Sequence, residues 1–232
     1  RSRIGRADLS RYTHLVMVGG SWNLPKSVVG KIHDWVEAGG VLLASKSAAG
    51  WAGEKFFAPE GDAESSGRMA AAAALARAAG EAEGADDSAE RLPYGEARAN
   101  AALSLIGGAI FQVEVDRTHP LGFGFPRTLL PVFKNSRSLL DVPDDPYVTV
   151  AAYTARPRLS GYASDENIEK IAGTPAVIAR RMGRGTVVQL ADNPSFRAFW
   201  HGTHRWAINA LFFGGAIDST ASRFEAEHVH AQ

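Results

Sequence analysis

Three kinds of side chain in this sequence could together perform hydrolysis. Ser47 follows a buried apolar run, Asp192 follows a second apolar run, and His201 and His204 come next along the chain. Enzymes of the α/β-hydrolase class use this order of serine, acid and histidine, with the serine on a sharp strand-to-helix turn. The order therefore raises the hypothesis of a serine hydrolase in which Ser47 is the nucleophile.

The residues around Ser47 argue against this triad. The turn reads Ser45–Trp51, SKSAAGW, which lacks the Gly-x-Ser-x-Gly pattern and places the bulky Lys46 where glycine is usual. Gly19 and Gly20 could offer backbone N–H groups as an oxyanion hole, although two glycines also suit an ordinary turn. The chain has no cysteine, so no thiolate can stand at the turn. We therefore expect the scaffold of an enzyme without its chemistry, with the serine hydrolase as the alternative.

A second group of residues could bind a ligand or a partner. Arg197 and Trp200 follow the late apolar run that ends near Asp192, at the sheet edge where open α/β folds bind ligands. They could hold a carboxylate or a sugar, or dock on another domain; equally, the aromatic segment could close the cleft as a plug. Trp22, just after the Gly19-Gly20 turn, is a further interface candidate.

The histidines do not indicate a metal site. His201 and His204 stand three residues apart, a spacing that some metals accept, but no carboxylate or third histidine is close in the sequence. His33 and Glu37 have the spacing of a surface pair on a helix. We therefore expect no metal and no cofactor in this chain.

The elements that position Ser47 form a βαβ unit. A strand around Leu15–Val18 is followed by Lys26–Ala38, whose apolar residues recur at helical spacing, and then by the strand Val41–Ala44. Such a unit is typical of a parallel sheet. We expect an α/β fold with a mostly parallel sheet flanked by helices.

Later segments continue the sheet after an interruption. Residues 58–100 are rich in Ala, Glu, Gly and Asp, and we interpret them as a low-complexity surface insertion. A strand at Ala109–Val115, a hairpin through Gly183-Arg184-Gly185 and a terminal helix Thr203–Phe213 are predicted beyond it. The terminal helix is expected to bury Trp206, Leu211 and Phe212. Residues 1–218 would form one domain, and 219–232 a polar tail.

Composition excludes some classes of partner. Lys+Arg and Asp+Glu are both 25, so the formal net charge is zero and gives no electrostatic case for nucleic acid. No apolar stretch is long enough to predict a membrane span. Absence of cysteine does not decide the compartment.

Several segments together resemble the class I glutamine amidotransferase-like domain, a flavodoxin-like three-layer fold. More narrowly, the chain resembles the domain of this type that follows the catalytic domain in bacterial zinc carboxypeptidases of the carboxypeptidase A type. The segments that carry the resemblance are Leu15–Gly20, the elbow at Ser47, Gly108–Phe111, Thr118–Leu121, Leu159–Tyr162 with Glu166-Asn167, Thr186–Pro194, Phe196–Trp200 and Asn209–Phe213. Their order and spacing, rather than any single one, make the likeness.

The resemblance carries several implications. Active amidotransferases have a cysteine near Ser47 and a histidine and a glutamate near Asp192–Ser195, so these catalytic residue types are missing here. No His-x-x-Glu zinc motif occurs in the chain. The resemblance therefore implies a non-catalytic accessory domain of an exported parent protein. Its partner would be an N-terminal peptidase domain that carries the zinc, and its ligand a peptide or cell-wall material. The first strand and helix usual for this fold would precede Arg1.

Overall fold

The computed structural model of this chain describes residues 3–57 and 106–217. Its strands are β1 (His14–Met17), β2 (Val41–Ser45), β3 (Ala109–Val115), β4 (Leu129–Lys134), β5 (Thr149–Gly161), β6 (Pro175–Met182) and β7 (Gly185–Leu190). Its α-helices are α1 (Lys26–Glu37), α2 (Ser47–Phe56), α3 (Asp165–Ile171) and α4 (His204–Phe213). Within these ranges the strands form one sheet of seven in the order β1-β2-β7-β6-β5-β3-β4.

The βαβ unit predicted from the sequence is confirmed. Helix α1 buries Ile32, Trp35 and Val36, which recur at helical spacing. The helix ends at a turn in which Gly39 has a φ of +119°, a conformation that favours glycine. Strand β2 follows at once, is buried along its whole length, and pairs in parallel with β1.

The prediction of a mostly parallel sheet is wrong, because the sheet is mixed. Only the β1–β2 and β2–β7 pairs are parallel, and the other four pairs are antiparallel. The predicted hairpin through Gly183 joins β6 to β7, and so short a connection permits only antiparallel pairing. Parallel pairing needs a crossover such as α1. Helix α3 joins β5 to β6, but these two strands are antiparallel neighbours, so α3 does not act as such a crossover.

The antiparallel half of the sheet curls back over the parallel half. In a flat sheet, β4 would lie four strand spacings from β7, or about 19 Å. Yet Lys134 Nζ, at the end of β4, lies 3.2 Å from Asp192 Oδ1, just beyond β7. Register shifts along β5, in its pairing with both β3 and β6, are the kind of irregularity that bends a strand. The sheet therefore coils until its far edge stands above the ends of the central strands.

A buried polar network fastens this curl. The ammonium of Lys134, which is fully buried, donates to Asp192 and to the Ser138 carbonyl, 2.7 Å away. It also lies 3.3 Å from Tyr153 Oη on β5, and that hydroxyl in turn donates to Asp192 Oδ2. Three separate segments, the end of β4 with the residues that follow it, β5, and the stretch after β7, thus meet at one carboxylate and one ammonium, and the charges of both are compensated.

Two expectations about the later chain have different outcomes. Helix α4 forms as expected and buries Trp206, but Leu211 is 45% exposed and Phe212 is 78% exposed, so their predicted burial is wrong. The helix is apolar on more than one side, and hydrophobicity alone did not select the side that packs.

The predicted insertion at 58–100 and the tail at 219–232 lie outside the described residues. None of the described helices is both long and apolar enough to cross a membrane.

Replacing Lys134 by Met should destabilise the fold strongly. The substitution Lys134→Met leaves the Asp192 carboxylate largely buried without its cation, and we expect the free energy of unfolding to fall by about 3 kcal/mol. Urea denaturation followed by circular dichroism measures the loss. Lys170→Met, at an exposed position on α3, is the matched control and should change stability by less than about 0.5 kcal/mol. Adding Asp192→Asn to Lys134→Met should recover part of the loss; no recovery would contradict the pairing.

Candidate functional site

The strand-to-helix elbow is centred on Lys46 and not on Ser47. Lys46 joins β2 to α2 with φ 56° and ψ −130°, a backbone conformation that residues other than glycine rarely adopt. Three backbone hydrogen bonds hold it: Lys46 N donates to Leu190 O at 2.8 Å, and Lys46 O accepts from Ala49 N at 2.9 Å and from Gly50 N at 3.4 Å. The expectation of Ser47 at the elbow is therefore wrong by one position, because Ser47 is already the first residue of α2.

The side chain of Lys46 is placed between two neighbouring segments. A Cβ at Gly19 would come within 3.2 Å of Lys46 Cβ, so the glycine leaves the space that the lysine stem fills. The Lys46 ammonium donates to Asn135 Oδ1 at 3.1 Å, just after the end of β4. Lys46 forms no ion pair with any residue in 3–57 or 106–217. The elbow therefore presents a half-buried cation without a counter-charge in the described part of the chain.

The hydroxyl of Ser47 fastens the turn after β1. It donates to Gly20 O and accepts from Gly20 N–H, each at 2.8 Å. The Gly20 N–H, which the sequence offers as an oxyanion donor, is therefore occupied by a side chain of the protein itself. This arrangement makes Ser47 a structural residue that ties the Gly19-Gly20 turn to the start of α2.

The hydrogen bonds of the described residues do not assemble the alternative triad. Ser47 binds Gly20, whereas both oxygens of Asp192 are taken by Lys134 and Tyr153. His201 and His204 contact each other edge to face, with ring centroids 5.1 Å apart. His204 Nε2 is buried without a partner among the described residues. The three residue types that the sequence placed in one triad thus belong to three separate local arrangements.

The aromatic segment after β7 packs into the cleft. Phe196 stacks on Phe133 of β4 at 4.1 Å between centroids, and Trp200 lies 6.1 Å from the same ring. The space left beside Asp192 and Trp206 is a cavity of about 10 Å³, room for about one water molecule. Of the two interpretations of this segment, the packing favours the plug.

The remaining binding candidates lie on different elements, Arg197 within the plug and Trp22 in the turn after β1. Arg197 is exposed, with φ +50°, and its guanidinium lies over the Phe196 ring at 5.3 Å. Trp22 donates its indole N–H to Val18 O at 2.8 Å, and its ring lies 6.5 Å from that of Trp51. Trp22 therefore has a packing role in the turn after β1, and Arg197 stays free to meet solvent.

Sequence reasoning named Asp192 as the acid of a triad but missed Lys134, the cation that pairs with it. Lys134 ends the run Leu129–Lys134, in which buried and less buried residues alternate, and it occupies a buried position of that alternation. A charged residue at such a position signals a buried partner. The identity of that partner could not be found in this way, because Asp192 is distant in sequence and is reached only through the curl of the sheet.

Tyr153 is the most strongly perturbed titratable group of the network. Burial, followed by the negative charge and the hydrogen bond of Asp192, raises the pKa of Tyr153 well above its ordinary value of 10.0. The phenol therefore stays protonated at neutral pH and serves as a hydrogen-bond donor. It is not poised to act as a base.

One group in the described ranges has the composition of a metal site. His33, Asp34 and Glu37 on α1 place one ligand atom each within 4.8 Å of one another. The two carboxylates are exposed, and the imidazole lies 3.7 Å from each of them. Such clusters are common on helix surfaces, and we assign no metal to this one.

Comparison with known proteins places the chain among remote structural neighbours. No protein-family model matches it, and no curated protein does. A ThuA-like protein from Parabacteroides merdae ATCC 43184 aligns over 90% of this chain and 72% of its own, with 14% identity and a TM-score of 0.45. A second, from Bacteroides uniformis ATCC 8492, aligns over the same shares with 11% identity and a TM-score of 0.43.

A third neighbour is a much longer protein. The chain spans 24% of the cold-adapted β-galactosidase from Rahnella sp. R3, with 15% identity and a TM-score of 0.37. ThuA-like proteins have the glutamine amidotransferase-like fold that the sequence resemblance implies. Likenesses this remote carry no argument about activity, and none of these neighbours is a carboxypeptidase.

Replacing Lys46 by Gly should stabilise the protein. Glycine adopts the backbone conformation of the elbow without strain, and relief of this strain should outweigh the entropy lost on folding, for a net gain of about 1 kcal/mol. Urea denaturation measures the change. Lys55→Gly, within the same helix α2, is the matched control and should lose about 1 kcal/mol. Equal losses in both variants would contradict the strain at Lys46.

Removing the Tyr153 hydroxyl should change the response to alkali. The unfolded chain releases the Tyr153 proton near pH 10, whereas the folded chain keeps it, so native stability falls as pH rises above about 10. At neutral pH, Tyr153→Phe should lower the free energy of unfolding by about 1 kcal/mol. Above about pH 10, the free energy of unfolding of the variant should fall less steeply with pH than that of the unaltered chain, and the two slopes should differ by up to about 1.4 kcal/mol per pH unit. Urea denaturation between about pH 7 and pH 11 gives both values. Parallel alkaline curves for the two proteins would contradict the raised pKa.

Proposed function

We propose that this chain is a non-catalytic, amidotransferase-like domain that supports another activity of the polypeptide to which it belongs. The single observation that carries the proposal is the elbow, where the strained position that would present a nucleophile carries Lys46. The Ser47 hydroxyl and the Asp192 carboxylate are both bound within the protein. The space beside Asp192 holds about one water molecule, which leaves no room there for a substrate.

The more specific form of the proposal is an accessory domain of a zinc carboxypeptidase-like protein. Its support is the order and spacing of the sequence segments that resemble such domains. In this form, the zinc and the peptidase chemistry belong to an N-terminal domain, and the present chain supports proteolysis through contacts with that domain or with substrate. The alternative is a free-standing ligand-binding module, which the unpaired Lys46 cation favours. Ser47 hydrolase chemistry is the remaining enzyme alternative, and the bonds of Ser47 to Gly20 disfavour it.

A fluorophosphonate probe tests the absence of serine chemistry. We expect no labelling of the purified chain, because Ser47 has no neighbouring imidazole bonded to it among the described residues. Ser47→Ala should lower stability by about 1 kcal/mol, through loss of the bonds to Gly20, without changing the labelling. Labelling of the unaltered chain that disappears in Ser47→Ala would overturn the non-catalytic proposal.

The carboxypeptidase context has a separate test. The full-length polypeptide should carry a His-x-x-Glu domain before this chain, bind one zinc ion there, and cleave C-terminal residues from peptides. This chain alone should bind no stoichiometric zinc and show no peptidase turnover. A full-length protein without such a domain would remove the accessory role and leave the ligand-binding module.

A further inference from the structure

We propose that Lys46 and Asn135 bind a carboxylate group of a small ligand at the elbow. This inference rests on the non-catalytic function proposed above and deepens it by naming the class of ligand. The group that would hold the carboxylate is the Lys46 ammonium, with the Asn135 amide beside it at 3.1 Å. Neither residue is predicted as a site residue by the sequence.

The distribution of charge supports an anionic ligand. In the described ranges, each acidic residue that forms an ion pair does so with another partner: Asp192 with Lys134, Glu54 with Lys55, and Asp34 and Glu37 with His33. Lys46 itself pairs with no acidic residue in the described ranges. A half-buried ammonium has lost part of its hydration, and an anion that binds there compensates for that loss.

Two positions of the backbone are adapted to the presence of the lysine. Lys46 is kept in a conformation that glycine would adopt without strain, and Gly19 leaves space that a Cβ would fill at 3.2 Å from the Lys46 stem. Lys46 directly follows β2, and its backbone N–H donates to the last residue of β7, so it lies at the carboxyl ends of these parallel strands. Open α/β sheets bind ligands at this edge.

The number of hydrogen-bond donors and the charge select a monocarboxylate. A lysine ammonium has three N–H donors, and Asn135 Oδ1 accepts one of them, which leaves two for a ligand. The Asn135 amide can also donate N–H bonds to the same group. One uncompensated positive charge matches one carboxylate, whereas a phosphate dianion would leave a negative charge next to the buried Asp192 network.

Titration of the purified chain with sodium acetate tests the site. Ionic strength is held constant with sodium chloride, and amide and lysine-ammonium signals are followed by nuclear magnetic resonance. We expect saturable shifts of the Lys46, Ser47 and Asn135 signals. Lys46→Gln should weaken the binding by about tenfold, the effect of losing one charge-assisted hydrogen bond, and Lys46→Arg should retain most of it.

Controls separate the site from general effects of charge and folding. Lys170→Gln removes an exposed lysine from α3 and should bind acetate as the unaltered chain does. Lys46→Gly should unfold no more readily than the unaltered chain and still lose the binding. Non-saturable shifts, equal shifts in Lys46→Gln and Lys170→Gln, or tighter binding of inorganic phosphate than of acetate would overturn the carboxylate site. These results would leave the fluorophosphonate test of the non-catalytic function unaffected.

Discussion

The ion pair between Lys134 and Asp192 fixes the shape of this molecule, because it can form only if the far edge of the sheet folds over the centre. The fully buried Lys134 cannot be left without a partner, since a lone charge in that position would cost several kcal/mol. Tyr153 links both charged groups and thereby ties β5 to the same point. The curl of the antiparallel half and the pairing of the Asp192 carboxylate with Lys134 are therefore a single arrangement.

This arrangement determines what the cleft can do. An acid that serves in catalysis must face a base or a substrate, but Asp192 faces inward to groups that neutralise it. The same curl brings Phe133 against Phe196 and Trp200, so the aromatic plug and the buried network occupy the region where a substrate would lie. The pairing of Asp192 and the packing of the aromatic plug thus both depend on the curl of the sheet.

Local sequence patterns predicted the elements, whereas the long-range geometry required the structure. The spacing of Ile32, Trp35 and Val36 predicted α1, and the glycines around Arg184 predicted the β6–β7 hairpin, because each pattern acts over a few residues. The mixture of parallel and antiparallel strand pairs, and the approach of Lys134 to Asp192, depend on contacts between segments that are distant in the sequence. The elbow was predicted, but the one-residue shift from Ser47 to Lys46 depends on backbone angles that sequence does not specify.

The strain at Lys46 is difficult to explain if the elbow has only a structural role. A glycine there would connect β2 to α2 with the same backbone bonds and without the cost in stability. The hydrogen bond from Lys46 to Asn135 does not offset this strain, because hydrogen bonds of partly exposed side chains contribute about 1 kcal/mol or less. A contribution of the ammonium to the free energy of ligand binding would account for lysine rather than glycine at this position. The strained lysine therefore supports the carboxylate site proposed above.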